Sequence, residues 1–291
     1  THSAPGAMEL CLGTRKDETY TAQMIPQVAE AITKAHAALT PAKAGWVQVD
    51  AHAFTNCRRW IRRPDKMLTD PFGEVSVRAM MHPGYESPDV VGPSGPTDPQ
   101  LSLLSLVRAN DEKPIAMMAN YSMHYFGAAA GFSADYFGEL AGMIENALGH
   151  DAVGLVSQGT SGDLHYMDYS RAKDPDLTRT KYAAGLADIA LKARADITHR
   201  ADLPLAMAEA KLPLGRRLPS PERLAWATPL NASRAGAIPK SKEEVFAEQA
   251  EWIHANPQTE LILQALRLGD LAITALPNEV YGITGLKLKA Q

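Results

Sequence analysis

The 291-residue sequence contains only two cysteines, Cys11 and Cys57. Two thiols cannot form a disulfide framework or a thiolate metal site, so cysteine usage identifies no redox compartment. Nothing in the sequence supports a bridge between them. No run of 18 apolar residues is present, which excludes a membrane-spanning helix. No basic excess exists either: 29 Lys and Arg face 33 Asp and Glu. That balance argues against non-specific nucleic-acid binding. Low hydrophobicity is absent too, because 45% of residues are hydrophobic at a net charge of −4, which rules out a disordered chain. The familiar short motifs are missing as well. There is no Walker loop, no Gly-x-Gly-x-x-Gly fingerprint, no Gly-x-Ser-x-Gly elbow and no His-Glu-x-x-His.

The length allows two domains or one large one and can bury a sizeable core. The chain begins Thr1-His2-Ser3 without a signal-type segment and ends Leu288-Lys289-Ala290-Gln291 in a helical pattern. The expectation is one domain over residues 1–291, incomplete at both ends.

Apolar periodicity predicts a helix over residues 19–40, with Met24, Val28, Ile32, Ala35 and Leu39 on one face. A strand is expected over 46–54. Residues 55–100 read as a long loop with one strand-like stretch at 75–80, and loops of that length are usually functional. Two apolar runs, 101–107 and 115–121, flank a polar turn and predict a hairpin. Ser133 is placed to cap a helix with Asp135 in its first turn. Phe137, Leu140, Ile144 and Leu148 form that helix's stripe. Residues 152–157 read as a buried strand, 175–199 as a helix, 205–212 as a strand and 213–240 as irregular. Ser241 and Glu244 form a capping box for a helix to about residue 256. Gly269-Asp270 marks a two-residue hairpin between 261–268 and 271–276. The segment from Glu279 onward reads as helical. Helices interleaved with strands, some paired as hairpins, predict an α/β fold with layered mixed sheets flanked by helices.

Of the nine histidines, most fall on predicted helices or in unremarkable surroundings. His2, His124 and His165 differ, because each sits at a strand end or in a loop among small and polar residues. Catalytic groups in layered α/β folds gather where strands end. His124, the loop 158–163 and Asn278-Glu279 each follow a predicted strand. A histidine and a carboxylate converging from separate strand ends can hold zinc. The same residues can equally serve as caps and loop fasteners. Gly159-Thr160-Ser161-Gly162 reads as a tight turn whose N–H groups could also hold an oxyanion.

Four segments, in order, resemble motifs of the neutral/alkaline, non-lysosomal ceramidases and their shorter bacterial relatives. Thr1-His2-Ser3-Ala4-Pro5-Gly6 is similar to the end of that family's Thr-His-Thr-His-Ser-Gly-Pro-Gly motif. Asn120-Tyr121-Ser122-Met123-His124 resembles its Asn-x-x-x-His motif. Residues 158–165, Gln-Gly-Thr-Ser-Gly-Asp-Leu-His, resemble its Gln-(Ser)-Asn-x-Gly-Asn/Asp-x-Ser-Pro loop. Leu276-Pro277-Asn278-Glu279 resembles its Pro-Gly-Glu motif.

The resemblance implies a ceramidase-like fold and a zinc amidohydrolase that cleaves an N-acyl bond. It implies His124 and Glu279 as Zn2+ ligands, with two further ligands lying before Thr1 and after Gln291. It places His2 beside the metal, near the substrate carbonyl or its oxyanion. The family's serine falls at His165 and the following proline at Tyr166, so that mechanism does not transfer intact. His165, with Asp163 in the same loop, is then a candidate acid or base, or a further ligand. The functional expectation is a zinc-dependent hydrolase of an amide or ester bond in a lipid-like or other acylated small molecule. The alternatives are a non-catalytic metal- or ligand-binding domain on the same fold, or a different metal-dependent esterase or phosphoesterase. The expected partner is a small-molecule or lipid substrate, with no nucleic acid and oligomeric state open. The resemblance implies a periplasmic or secreted location. In three dimensions, His124 and Glu279 are expected nearest to each other, with His2 just outside and the 159–163 loop and His165 turned toward them.

Overall fold

The computed structural model describes residues 4–7, 15–127, 131–149 and 151–291. Helix α1 (Glu18–Ala37) leads into β1 (Ala42–Asp50). Six short strands follow: β2 (Asn56–Cys57), β3 (Arg59–Arg62), β4 (Leu68–Thr69), β5 (Val75–Val77), β6 (Ala79–Met81) and β7 (Val90–Pro93). Next come β8 (Gln100–Arg108), β9 (Pro114–Tyr121), α2 (Asp135–Leu148), β10 (Val153–Gln158), β11 (Leu164–His165) and α3 (Arg179–Ala193). The last part holds β12 (Leu205–Gly215), α4 (Pro221–Arg234), α5 (Lys242–Ala255), β13 (Gln258–Leu268), β14 (Leu271–Ala275) and α6 (Gly282–Lys289).

The main sheet has the order β1-β8-β9-β10. β1 and β9 run antiparallel to β8, whereas β10 runs parallel to β9 with α2 as the crossover. Alternation along β8 sends Leu101, Leu103 and Val107 to one face. Leu101 and Leu103 meet Met117, Ala119 and Tyr121 of β9, Leu140 and Ile144 of α2, and Tyr182, Leu186 and Ala190 of α3. Burial of each leucine contributes roughly 2 kcal/mol. Three buried phenols pin the surrounding backbone: Tyr121 donates to the Ala51 carbonyl, Tyr136 to Met123 and Tyr182 to Phe54. Burial pushes all three well above the ordinary phenol range, so they remain neutral donors.

A layered α/β fold with mixed sheets is present, and both hairpins form where expected. β13 and β14 pair Leu268 with Leu271 across Gly269-Asp270, and Gly269 takes φ +59°. The Ser241–Glu244 capping box opens α5.

Several expectations need correction. Residues 55–100 are not one loop, because β3, β6 and β7 form one small sheet and β4 and β5 another. Strands of two to four residues carry no readable period. The irregular reading of 213–240 missed α4, whose Ser220 cap and Pro221 start its first turn. β10 is an edge strand with Val153 and Leu155 half exposed, not a buried one. The apolar face of α1 buries no residue among those described. The strand expected at 46–54 ends at Asp50, and a 3-10 turn takes His52–Phe54. The helix expected over 175–199 is shorter, Arg179–Ala193. The helix expected from Glu279 starts only at Gly282. Cys57 is a free, buried thiol, and Cys11 lies outside the described residues.

Candidate functional site

The site is built at the C-terminal ends of the parallel pair β9 and β10, where open α/β sheets place ligands. Past Tyr121 the chain leaves the sheet, and each backbone step toward His124 is tied. The Gly159 N–H donates to the Tyr121 carbonyl at 2.9 Å. Thr55 Oγ1 donates to the Ser122 carbonyl at 2.7 Å. Tyr136 holds Met123. Beyond His124, the N–H groups of Phe126 and Gly127 donate to the two carboxylate oxygens of Asp135, each at 2.8 Å. Asp135 is buried at φ +56°. Its sequence assignment as a helix-dipole partner understated it, since its carboxylate chiefly fastens the backbone after His124. Ser133 accepts the Asp135 N–H at 3.0 Å, whereas the cap position falls to Ala134.

The loop after β10 packs against both ends of the site. A Cβ on Gly159 would lie 2.4 Å from Ser122 Oγ, and one on Gly162 would lie 2.2 Å from the Glu279 carbonyl oxygen. Only glycine allows these approaches. The Gly162 N–H donates to the Val280 carbonyl at 2.9 Å. The N–H groups of both glycines are therefore engaged within the protein, and these two do not serve as oxyanion donors. Thr160 packs against Gly285 of α6, and Ser161 Oγ lies 2.6 Å from Gln158 Nε2. Asp163 is buried, and its Oδ1 accepts the Gly282 N–H at 2.8 Å, capping α6. That contact is a positioning one. Glu279 stands on the turn before α6, just past Asn278 at φ +74°.

These constraints bring His124 Nε2 and Glu279 Oε1 to 3.3 Å, from positions more than a hundred residues apart. The histidine side chain is buried and the carboxylate is open to solvent. Two zinc donors at tetrahedral angles stand about 3.4 Å apart. An imidazole nitrogen and a carboxylate oxygen at this separation fit zinc in both chemistry and spacing. On the other side of the ring, His124 Nδ1 lies 3.4 Å from the Gln158 carboxamide. Such an outer partner fixes a ligand's ring orientation. Among the described residues, no group of three His, Cys, Asp or Glu side chains gathers. His2 lies outside the described residues.

His165 sits in β11, paired with β2 through Asn56, and is 2% exposed. Its ring lies edge-on to Tyr125 at 5.2 Å and to His82 at 5.0 Å, and tilted against Tyr166 at 4.7 Å. Tyr125 in turn lies 5.3 Å from the His124 ring, so one aromatic ring links the two histidines. Sequence reading missed His82, Arg58 and Tyr169. Arg58 is buried and donates through Nε and Nη2 to the Gly162 carbonyl. Burial, with the Arg58 charge, holds His82 below the ordinary histidine range. Burial pushes the Tyr169 phenol up, and its oxygen lies 2.5 Å from His82 Nδ1. Burial also pushes Tyr166 up to about 12. The one signal that could have flagged this group is the density of Tyr and His residues in 165–169 and 82–85.

No protein-family model matches the sequence, and no curated protein matches it. Solved structures do. One is the neutral ceramidase from Pseudomonas aeruginosa, with a TM-score of 0.57 at 14% identity, covering 94% of this chain and 46% of that one. Another is a ceramidase complexed with C2, with a TM-score of 0.61 at 17% identity, covering 100% of this chain and 50% of that one. The chain thus spans about half the length of each of these two structures. The architecture that carries His124 and Glu279 to one point is the fold of the ceramidases over that half.

Proposed function

We propose that this chain is a zinc-dependent, ceramidase-like hydrolase domain that cleaves an amide or ester bond in a lipid-like or other acylated small molecule. The observation that supports it most is the 3.3 Å approach of His124 Nε2 to Glu279 Oε1 at the ends of β9 and β10. In this reading His124 and Glu279 hold the metal, which when bound supplies an acidified water and polarises the substrate carbonyl. Gln158 orients the His124 ring from behind. Asp135 and the Gly159 contact keep the His124 backbone from relaxing. Asp163 and Gly162 set Glu279 at the head of α6. His165 holds or passes a proton on the inner side of Tyr125. The substrate enters from the open, Glu279 side. The same reading places the protein in the periplasm or outside the cell. Among the described residues no helix is long and apolar enough to cross a membrane.

A second reading has its own observation. His165 is almost fully enclosed at the position where the resembling family carries a serine. An enclosed imidazole there suits a domain that binds metal or ligand without turning it over. Two measurements on the purified chain separate the readings: metal content by plasma mass spectrometry, and turnover of a fluorogenic N-acyl amide and a nitrophenyl ester. Zinc retention with turnover of either substrate, both lost in a His124→Ala variant, supports the hydrolase. Zinc retention with no turnover supports the binding domain. Absence of zinc affinity in the intact chain rejects the zinc hydrolase.

A further inference from the structure

Asp98 stands just before β8, and its side chain is only 1% exposed. Its two oxygens lie 3.0 and 2.8 Å from Lys289 Nζ, and Oδ2 also accepts from Ser122 Oγ at 2.9 Å. The Lys289 side chain stays partly open to solvent, and burying the Asp98 carboxylate costs desolvation, so the pair is weak evidence of a contribution to stability. Its connections are more telling. Ser122 lies two residues before His124, and Lys289 is the last residue of α6, whose start follows Glu279.

Three of the contacts that hold helix α6 bear on Glu279. Asp163 binds its Gly282 N–H, Gly285 packs on Thr160, and Lys289 binds Asp98. The first two contacts belong to the 158–163 loop. Lys289 alone of the three ties the helix to the segment that carries His124. An eight-residue helix is about 12 Å long, so a small rotation released at its C-terminal end displaces the head that bears Glu279. Metal donors tolerate shifts of only about 0.2 Å.

Resting on the zinc reading above, we propose that Asp98 and Lys289 are positioning residues whose ion pair sets Glu279 against His124. The test uses the intact chain with cobalt(II) as the probe, reading its visible absorption and its affinity. Three variants are compared: Lys289→Arg, Lys289→Met, and the double variant Asp98→Asn with Lys289→Met. The single Met variant strands a buried carboxylate and can unfold. The double variant removes both charges, and such replacements are often tolerated. The double variant is expected to stay folded and to lose cobalt affinity by about 10–100-fold. Lys289→Arg should restore near-native affinity and spectrum. In the metal-free chain, amide hydrogen exchange over residues 279–285 should quicken in the double variant, whereas β8 and β9 stay unchanged.

A double variant that binds cobalt as tightly as the native chain, with unchanged exchange at 279–285, overturns the proposal. A native chain that binds no cobalt overturns the zinc reading instead. The exchange comparison alone then decides whether the pair positions Glu279.

Discussion

Gly162 lies directly against the backbone of Glu279: a methyl group in place of its hydrogen would stand 2.2 Å from the Glu279 carbonyl oxygen. The contact couples the loop after β10 to the turn that presents the candidate carboxylate. Because the atom met is backbone, it cannot swing aside as a side chain would.

Gly162→Ala should therefore destabilise the fold by about 1–3 kcal/mol through overpacking and move Glu279 away from His124. Urea unfolding measures the first effect and metal affinity the second. A variant with native stability and native metal affinity would show that the loop yields freely.

Asp135 accepts N–H groups from Phe126, Gly127 and Tyr136 while holding a left-handed backbone. Asp135→Asn keeps the shape and tolerates that backbone, but turns one acceptor oxygen into a donor facing an N–H. The expected loss is about 1–3 kcal/mol. Thermal unfolding checks it, and hydrogen exchange at Phe126 and Gly127 should show the loosening nearest His124. Unchanged protection at both amides would refute the clamp.

His82 carries a pH dependence. Burial first, and the Arg58 charge second, lower its pKa in the folded state. The unfolded chain therefore takes up more protons on this residue as pH falls through about 6.5, toward the lowered folded value. Stability contributed by neutral His82 is fully present above that window and is lost on acidification through it. His82→Gln should flatten part of the acid limb of stability against pH. His199, also lowered by burial, keeps the rest of the slope. Denaturation curves at pH 5.5 and 7.5 supply the comparison, and parallel slopes in variant and native protein would rule the effect out.

His165 separates proton transfer from metal binding. If it moves a proton in catalysis, His165→Ala should reduce turnover by about 10²–10⁴ with zinc still bound. If it is a ligand, zinc affinity falls first. Undiminished turnover would remove it from the mechanism. Activity gained by His165→Ser toward an N-acyl sphingoid substrate would show that this position controls the reaction.

Local periodicity settled much of the fold in advance. The β8–β9 and β13–β14 hairpins, α2, α3 and the capped α5 follow from apolar spacing and turn residues within a dozen positions of each other. Motif order likewise singled out His124, Glu279 and the 158–165 loop. Short-range patterns carry such information because strand alternation, helical repeat and capping are interactions between near neighbours. The strands of 56–93 carry too few residues for a period, and α4 was hidden by prolines at its start and within it.

The site depended on contacts that no local pattern encodes. The approach of His124 to Glu279 requires β9 and β10 to pair in parallel, Gly162 to sit against Glu279 and α6 to dock on the loop. The enclosure of His165 by Tyr125, His82 and Tyr166 draws on three separate stretches of chain. Arg58 and Asp98 read as ordinary charges in the sequence and became buried hubs only when the chain closed around them. Residue types and their order were the sequence's own contribution. Which polar groups lost their water, and which partners then met them, was decided by tertiary packing, because desolvation depends on everything folded around a group and not on its neighbours along the chain.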